Sequence, residues 1–206
     1  SIAPADLVAT VDSGVTLAQL GAALLPHRLW WPVDPPGGGA RSIGSVVATG
    51  TAGALRHGYG PVRDQLLGCT VVMPDGRAVE SGGRVVKNVA GYDLGRLMTG
   101  SHGALALTLD TTFKLVPVAQ TSCTVVITPG SLPVMSRVLA DIGASQTMPS
   151  AVELEMPPGR LLVRTIVKLS FIFVPWARNL SSPASMAGPG SGVSASGSQV
   201  PQSQTM

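Results

Sequence analysis

Charge is scarce in this chain of 206 residues: Asp, Glu, Lys and Arg together make up 12%, and the net charge is +3. No run of Lys or Arg occurs, so the basic face needed to track a phosphate backbone is missing and nucleic-acid binding is not expected. Aromatic residues are equally thin at 4%, which leaves Val, Leu, Ala and Ile to build the core. The two cysteines, Cys69 and Cys123, sit in apolar, strand-like runs and read as buried free thiols rather than a disulfide framework. His27, His57 and His102 lie far apart with no cysteine or carboxylate at ligand spacing, so no metal site is expected. Long apolar runs are also lacking. The stretch 161–176 is broken by Arg164 and Lys168 and falls short of the roughly 20 apolar residues of a membrane span. No basic segment followed by an apolar one opens the chain, so a secretory signal is absent and a cytoplasmic protein is expected.

Glycine and proline, by contrast, are abundant, with 25 and 17 residues. One concentration is Trp31-Pro32-Val33-Asp34-Pro35-Pro36-Gly37-Gly38-Gly39, which is neither helix nor central strand because proline removes donors and glycine removes stiffness. A second runs from Gly82 to Asp93, where a diglycine entry leads to the cations Arg84 and Lys87, then Tyr92 and a carboxylate suited to starting a helix. Two such loops bracketing good strands suggest a bound cofactor. Lys87 reads either as a cofactor or subunit contact or as a solvated loop lysine. Tyr92 reads either as a ring-stacking residue or as packing on a sheet edge.

Local signals place the elements around those loops. Residues 7–11 read as a strand, and Thr16 with Gln19 forms a capping box ahead of Leu17, Leu20 and Leu24 on one helical face, stopped at Pro26. Ser42 caps a short helix over 43–49 that Gly50 closes in a left-handed turn, and its exposed amides would seat a phosphate or a flavin carbonyl. Residues 68–73 and 77–81 form a hairpin about Pro74-Asp75-Gly76. Asp93 caps a helix over 94–98, ended by Gly100. From Leu105 the apolar residues alternate through Leu107 and Leu109 to Phe113 and Leu115, which predicts a long half-buried strand ending at Pro117. A strand over 122–127 and a helix over 132–142 follow. The division predicted is 1–117, 118–178 and a disordered tail at 179–206, which holds no charged residue and is mostly Ser, Gly, Pro, Ala and Gln.

Five ordered motifs carry a resemblance. They are Trp31 to Pro36, Ser42-Ile43-Gly44-Ser45, His57-Gly58-Tyr59-Gly60-Pro61-Val62-Arg63-Asp64, Gly82 to Leu94, and Gly100-Ser101-His102-Gly103-Ala104-Leu105. Together they resemble the PCMH-type FAD-binding flavoproteins, also called the vanillyl-alcohol-oxidase type, and most closely the E subunits of bacterial glycolate oxidases. The resemblance implies an α+β fold, namely the second subdomain of a PCMH-type FAD-binding domain with a mixed or antiparallel sheet flanked by helices, plus a partial cap domain at 118–178. It implies FAD as cofactor, with contacts from Pro32, Asp34, Ser42, Gly44, Ser45, Gly50, Gly53, Gly103, Leu105 and Leu107.

The function implied is the FAD-binding subunit of a 2-hydroxy-acid (glycolate-type) oxidoreductase that passes electrons to a second flavoprotein subunit and an iron–sulphur subunit. The alternative is a non-catalytic assembly module that binds FAD weakly or not at all. No catalytic residue is assigned; His102, inside the last motif, is the one histidine placed to handle a proton. The sequence departs from the family at Ser45, where a second glycine is usual, at Ala104 and Ala106, where threonine and glycine are usual, and at His102, where relatives often carry glutamate or leucine. No Arg-Gly-Gly-Gly-Thr type loop, whose amides would grip the pyrophosphate, precedes Asp6, so a weakened hold on that group is expected.

Overall fold

A computed structural model describes residues 1–83, 93–128, 131–155, 160–167 and 192–196. The chain divides into two compact units, Ser1–Val118 and Ala119–Met206. The first is built on an antiparallel sheet in the order β1-β2-β6-β4-β5, made of β1 (Ile2–Ala3), β2 (Val8–Asp12), β4 (Leu66–Val72), β5 (Ala78–Gly82) and β6 (Leu107–Lys114). The remaining pair, β3 (Leu29–Trp30) and β7 (Val116–Pro117), forms a small ribbon of its own.

The helices start where their capping chemistry sits. Thr16 accepts from Gln19 N while the Gln19 side chain accepts from Thr16 N, so the capping box opens α1 (Leu17–Leu24) as its residues predict. Ser42 accepts from Ser45 N and opens α2 (Ile43–Thr49), which ends at Gly50 with φ +64. Two single turns follow, α3 (Arg56–Tyr59) and α4 (Val62–Gln65). Asp93 accepts from Arg96 N and opens α5 (Leu94–Met98).

All of these but α3 pack on one face of the sheet. Leu20 and Leu24 of α1, Ile43, Val46 and Val47 of α2 and Val62 of α4 close over Ala9 and Phe113, and Trp31 stacks on Phe113 with ring centroids 4.3 Å apart. Met98 of α5 covers Cys69, Val71 and Ala106 on the same face. The opposite face is polar at its centre, where the Thr10 and Thr112 hydroxyls meet at 2.9 Å.

The leucine alternation does not resolve as its period suggests. Phe113 and Leu115 are buried, but Leu105, Leu107 and Leu109 are exposed, Leu107 by 67%. The cause is a bulge. Thr70 pairs with Asp110 and Val71 with Thr108, which leaves Leu109 without a partner on β4 and reverses the side-chain phase of Thr108 and Leu107, while Leu105 precedes the strand. Thr108 thus shares the face of Val71, Ala106 just ahead of the strand packs with Met98 of α5, and Leu107 turns to the other side opposite Val72. A second shift between Leu66 and Gly68 skips Leu67 in the same way.

The second unit holds an antiparallel sheet in the order β11-β8-β10-β9, from β8 (Thr121–Thr128), β9 (Pro149–Glu155), β10 (Arg160–Val167) and β11 (Gly192–Ser196). Helix α6 (Leu132–Ala144) brings Val138 and Ile142 onto Ile127 and Val163. Thus part of the serine-glycine tail, Gly192–Ser196, pairs with β8. Among the described residues no helix is long and apolar enough to cross a membrane.

Candidate FAD site

The site is assembled around the C-terminal end of α2. Gly100 N donates to Val47 O at 3.0 Å and His102 N to Ala48 O at 2.8 Å, so the loop after α5 docks on the last turn of α2. At the same end a side chain on Gly50 would stand 3.5 Å from Gly100 Cα. Backbone of this shape is costly for ordinary residues, since left-handed geometry brings Cβ against the chain. It recurs here at Gly50, Gly53, Gly100, His102 and Gly103, the last with φ +78.

A few residues away, the proline-rich segment closes on the following turn. Asp34 N donates to Ala52 O at 3.2 Å, and Asp34 Oδ1 accepts from Leu55 N at 3.0 Å. Between these two bonds lies Gly53, where a Cβ would overlap Asp34 O and Oδ1. Arg41 fastens the other end of the proline-glycine loop. Its guanidinium donates to Pro36 O, Ser45 Oγ, Ser45 O and Thr49 Oγ1 at 2.9 to 3.3 Å.

The ten expected contact residues fall into two groups. Pro32 is fully buried, and the Asp34 carboxylate turns inward to Leu55. Ser42 and Ser45 bond one another at the start of α2, and Gly44 lies against Ser13, where a Cβ would approach Ser13 Cβ to 2.7 Å. Gly53 is filled by Asp34. Gly50 meets Gly100, whereas Gly103, Leu105 and Leu107 are exposed, with open space at the Cβ position of Gly103. The structure thus brings Asp34, Gly50, Gly53 and Gly103 to neighbouring turns. Ser42, Gly44 and Ser45 lie at the opposite end of the short α2 helix.

Arg84, Lys87 and Tyr92 lie outside the described residues. Arg63 and Asp64 pair at 4.0 Å, and Asp64 also meets Arg96 at 3.5 Å, which ties α4 to α5 on the surface. Arg41 was not among the expected site residues. Its signal was a spacing of four and eight residues to Ser45 and Thr49, which sets both hydroxyl residues on one side of α2 beneath the guanidinium. Burial pushes the Cys69 thiol up to about 11, with the Asp110 and Asp93 carboxylates adding to the push, so it is an inert core group at neutral pH. Among the described residues no three His, Cys, Asp or Glu side chains stand close enough together to hold a metal ion.

Comparison with known proteins supplies the identity of the ligand. Residues 1–82 match the family model described as the FAD binding domain. Over these residues the chain is similar to FAD binding domains. The chain is 31% identical over 164 residues to glycolate oxidase subunit GlcD of Bacillus subtilis, covering 80% of this chain and 35% of that protein. It is 41% identical over 115 residues to glycolate oxidase subunit GlcE of Escherichia coli, covering 55% of this chain and 33% of that one. It spans about a third of the length of these relatives. Among solved structures, an alkyldihydroxyacetonephosphate synthase superposes with a TM-score of 0.63 at 21% identity, covering 74% of this chain and 27% of that one, and shares the fold.

The open features of the site lie at Gly103. The Gly103 N–H has no backbone acceptor among the described residues, its backbone is left-handed, and nothing fills the place of a side chain. A phosphate or carbonyl oxygen of a dinucleotide fits such a position, because amides in turns of this kind converge on negative charge.

Proposed function

We propose that this chain is the FAD-holding part of a 2-hydroxy-acid oxidoreductase of the glycolate type, working as one subunit among several. The observation that carries this reading is the convergence of the Gly50–Gly53 turn and the Gly100–Gly103 loop on one end of α2, in a chain whose relatives include glycolate oxidase subunits. When bound, the flavin supplies the hydride acceptor for substrate oxidation. This chain's residues bind and orient it: Gly103 offers an amide, Leu105 and Leu107 offer exposed apolar surface, and Gly50 and Gly53 make room for Gly100 and Asp34, which sets the neighbouring turns in place. Residues 1–117 form the FAD-binding part and 118–178 a partial cap. The electron acceptors are a second flavoprotein subunit and, beyond it, an iron–sulphur subunit.

The exposed leucines Leu105, Leu107 and Leu109 favour a second reading, an assembly module whose apolar strand is covered by another subunit while flavin is held weakly. Reconstitution separates the two. The purified chain is mixed with FAD and a GlcD-type subunit, and the visible flavin absorbance is followed anaerobically on adding glycolate. The first reading expects bleaching of flavin bound to this chain. Complex formation with no flavin on this chain supports the second, and neither flavin binding nor complex formation contradicts both.

A further inference from the structure

We infer that Asp34 is a positioning residue, a latch that fixes the Ala52–Leu55 turn, and that its carboxylate does not touch the cofactor. The inference rests on the FAD-holding role given above and refines it. Geometry carries it. Asp34 reaches the turn twice, through its own N–H to Ala52 O at 3.2 Å and through Oδ1 to Leu55 N at 3.0 Å. Leu55 is the residue preceding α3, and that helix has no side-chain cap of its own, so Asp34 caps it across 21 positions of sequence. Gly53 lies between the two bonds with φ +67, and any side chain there would collide with Asp34.

The latch is held rigid from behind. Pro32 is fully buried, Trp31 is stacked on Phe113, and Arg41 holds Pro36 O. Asp34 is therefore fastened to the core on one side and to the turn on the other. Moving it moves Gly53 and, three residues earlier, Gly50, which lies against Gly100. The role requires an acceptor oxygen at the right distance and does not require negative charge.

That distinction sets the test, made on the full chain. Asp34→Asn keeps an acceptor and removes the charge, Asp34→Glu keeps the charge and displaces the acceptor by one methylene, and Asp34→Ala removes both. Two readouts are followed: residue-resolved amide hydrogen exchange at Leu55 without FAD, and the FAD dissociation constant by fluorescence titration. Asp34→Ala and Asp34→Glu are expected to speed Leu55 exchange and weaken FAD by about tenfold or more, the scale of one buried N–H left without its acceptor. Asp34→Asn is expected to keep both within about threefold and to leave the bound flavin's absorbance unchanged. The latch is overturned if Asp34→Asn loses FAD while Asp34→Glu retains it, or if Leu55 exchange is unmoved in Asp34→Ala. Should the unaltered chain bind no FAD, the exchange data alone still decide the latch, and the FAD-holding role fails separately. If Asp34→Ala does not fold, the Asn and Glu pair decides.

Discussion

The same substitution, glycine to alanine inside a helix, is expected to have opposite signs in α1 and α2. In an open helix interior the exchange stabilises by about 1 kcal/mol, because alanine loses less backbone entropy. Gly21, in the middle of α1, has no atom within 4 Å of the position its Cβ would occupy, so Gly21→Ala should realise most of that gain. Gly44, in the first turn of α2, has the Ser13 Cβ at 2.7 Å and the Ser13 carbonyl oxygen at 3.1 Å. Neither can swing away, because Gly44 N donates to Ser13 O and Ile43 N to Val15 O, both at 2.8 Å, which pins α2 to the turn after β2. Overpacking of this kind costs about 1 to 3 kcal/mol. Set against the gain of about 1 kcal/mol, the net for Gly44→Ala is a loss of up to about 2 kcal/mol. Urea denaturation followed by circular dichroism reads both as shifts in midpoint at constant slope. A stabilised Gly44→Ala, or a destabilised Gly21→Ala, would refute the reasoning.

Three further expectations follow from the same geometry. Cys69 should resist alkylation in the folded chain at neutral pH while Cys123 reacts faster; because the raised thiol favours its protonated form on folding, stability should fall as pH rises from about 9 towards about 11, and rapid labelling of native Cys69 would contradict this. The bulge at Leu109 implies that Ala106→Leu destabilises by about 1 to 3 kcal/mol through crowding against Met98, while Leu107→Thr changes stability by less than about 0.5 kcal/mol; the reverse order in thermal unfolding would mean the strand keeps simple alternation. Phe113→Ala removes the partner of Trp31 from a fully buried position and should cost about 3 to 5 kcal/mol in the denaturation midpoint, with a change in tryptophan fluorescence.

Much of the first unit was legible in the residues because its decisive signals are local. Thr16 with Gln19, Ser42 with Gly50, and Asp93 each mark a helix end within one turn of chain, and each is found where its pattern places it. The turn Pro74-Asp75-Gly76 likewise joins a hairpin, with Asp75 bonded to Arg77. What escaped was set by pairing between distant segments. The bulge at Leu109 depends on how β6 meets β4, and no periodicity within 105–115 contains that register. The same holds for the candidate site. Gly50 was recognisable as a left-handed helix end, whereas Gly53 and Gly103 were expected only through the family resemblance, and Asp34 turning inward to Leu55 depends on a contact across 21 residues. Arg41 escaped because its partners are neutral oxygens rather than a carboxylate.

The most direct measurement is a titration of the isotopically labelled full chain with FAD, followed by residue-resolved amide NMR shifts. Holding of the dinucleotide by the end of α2 requires saturable shifts concentrated at Gly50, Gly53 and Gly103, with the sheet's threonine face around Thr10 and Thr112 undisturbed. No saturable shift at all, or shifts gathered on that threonine face or in the second unit, would contradict it.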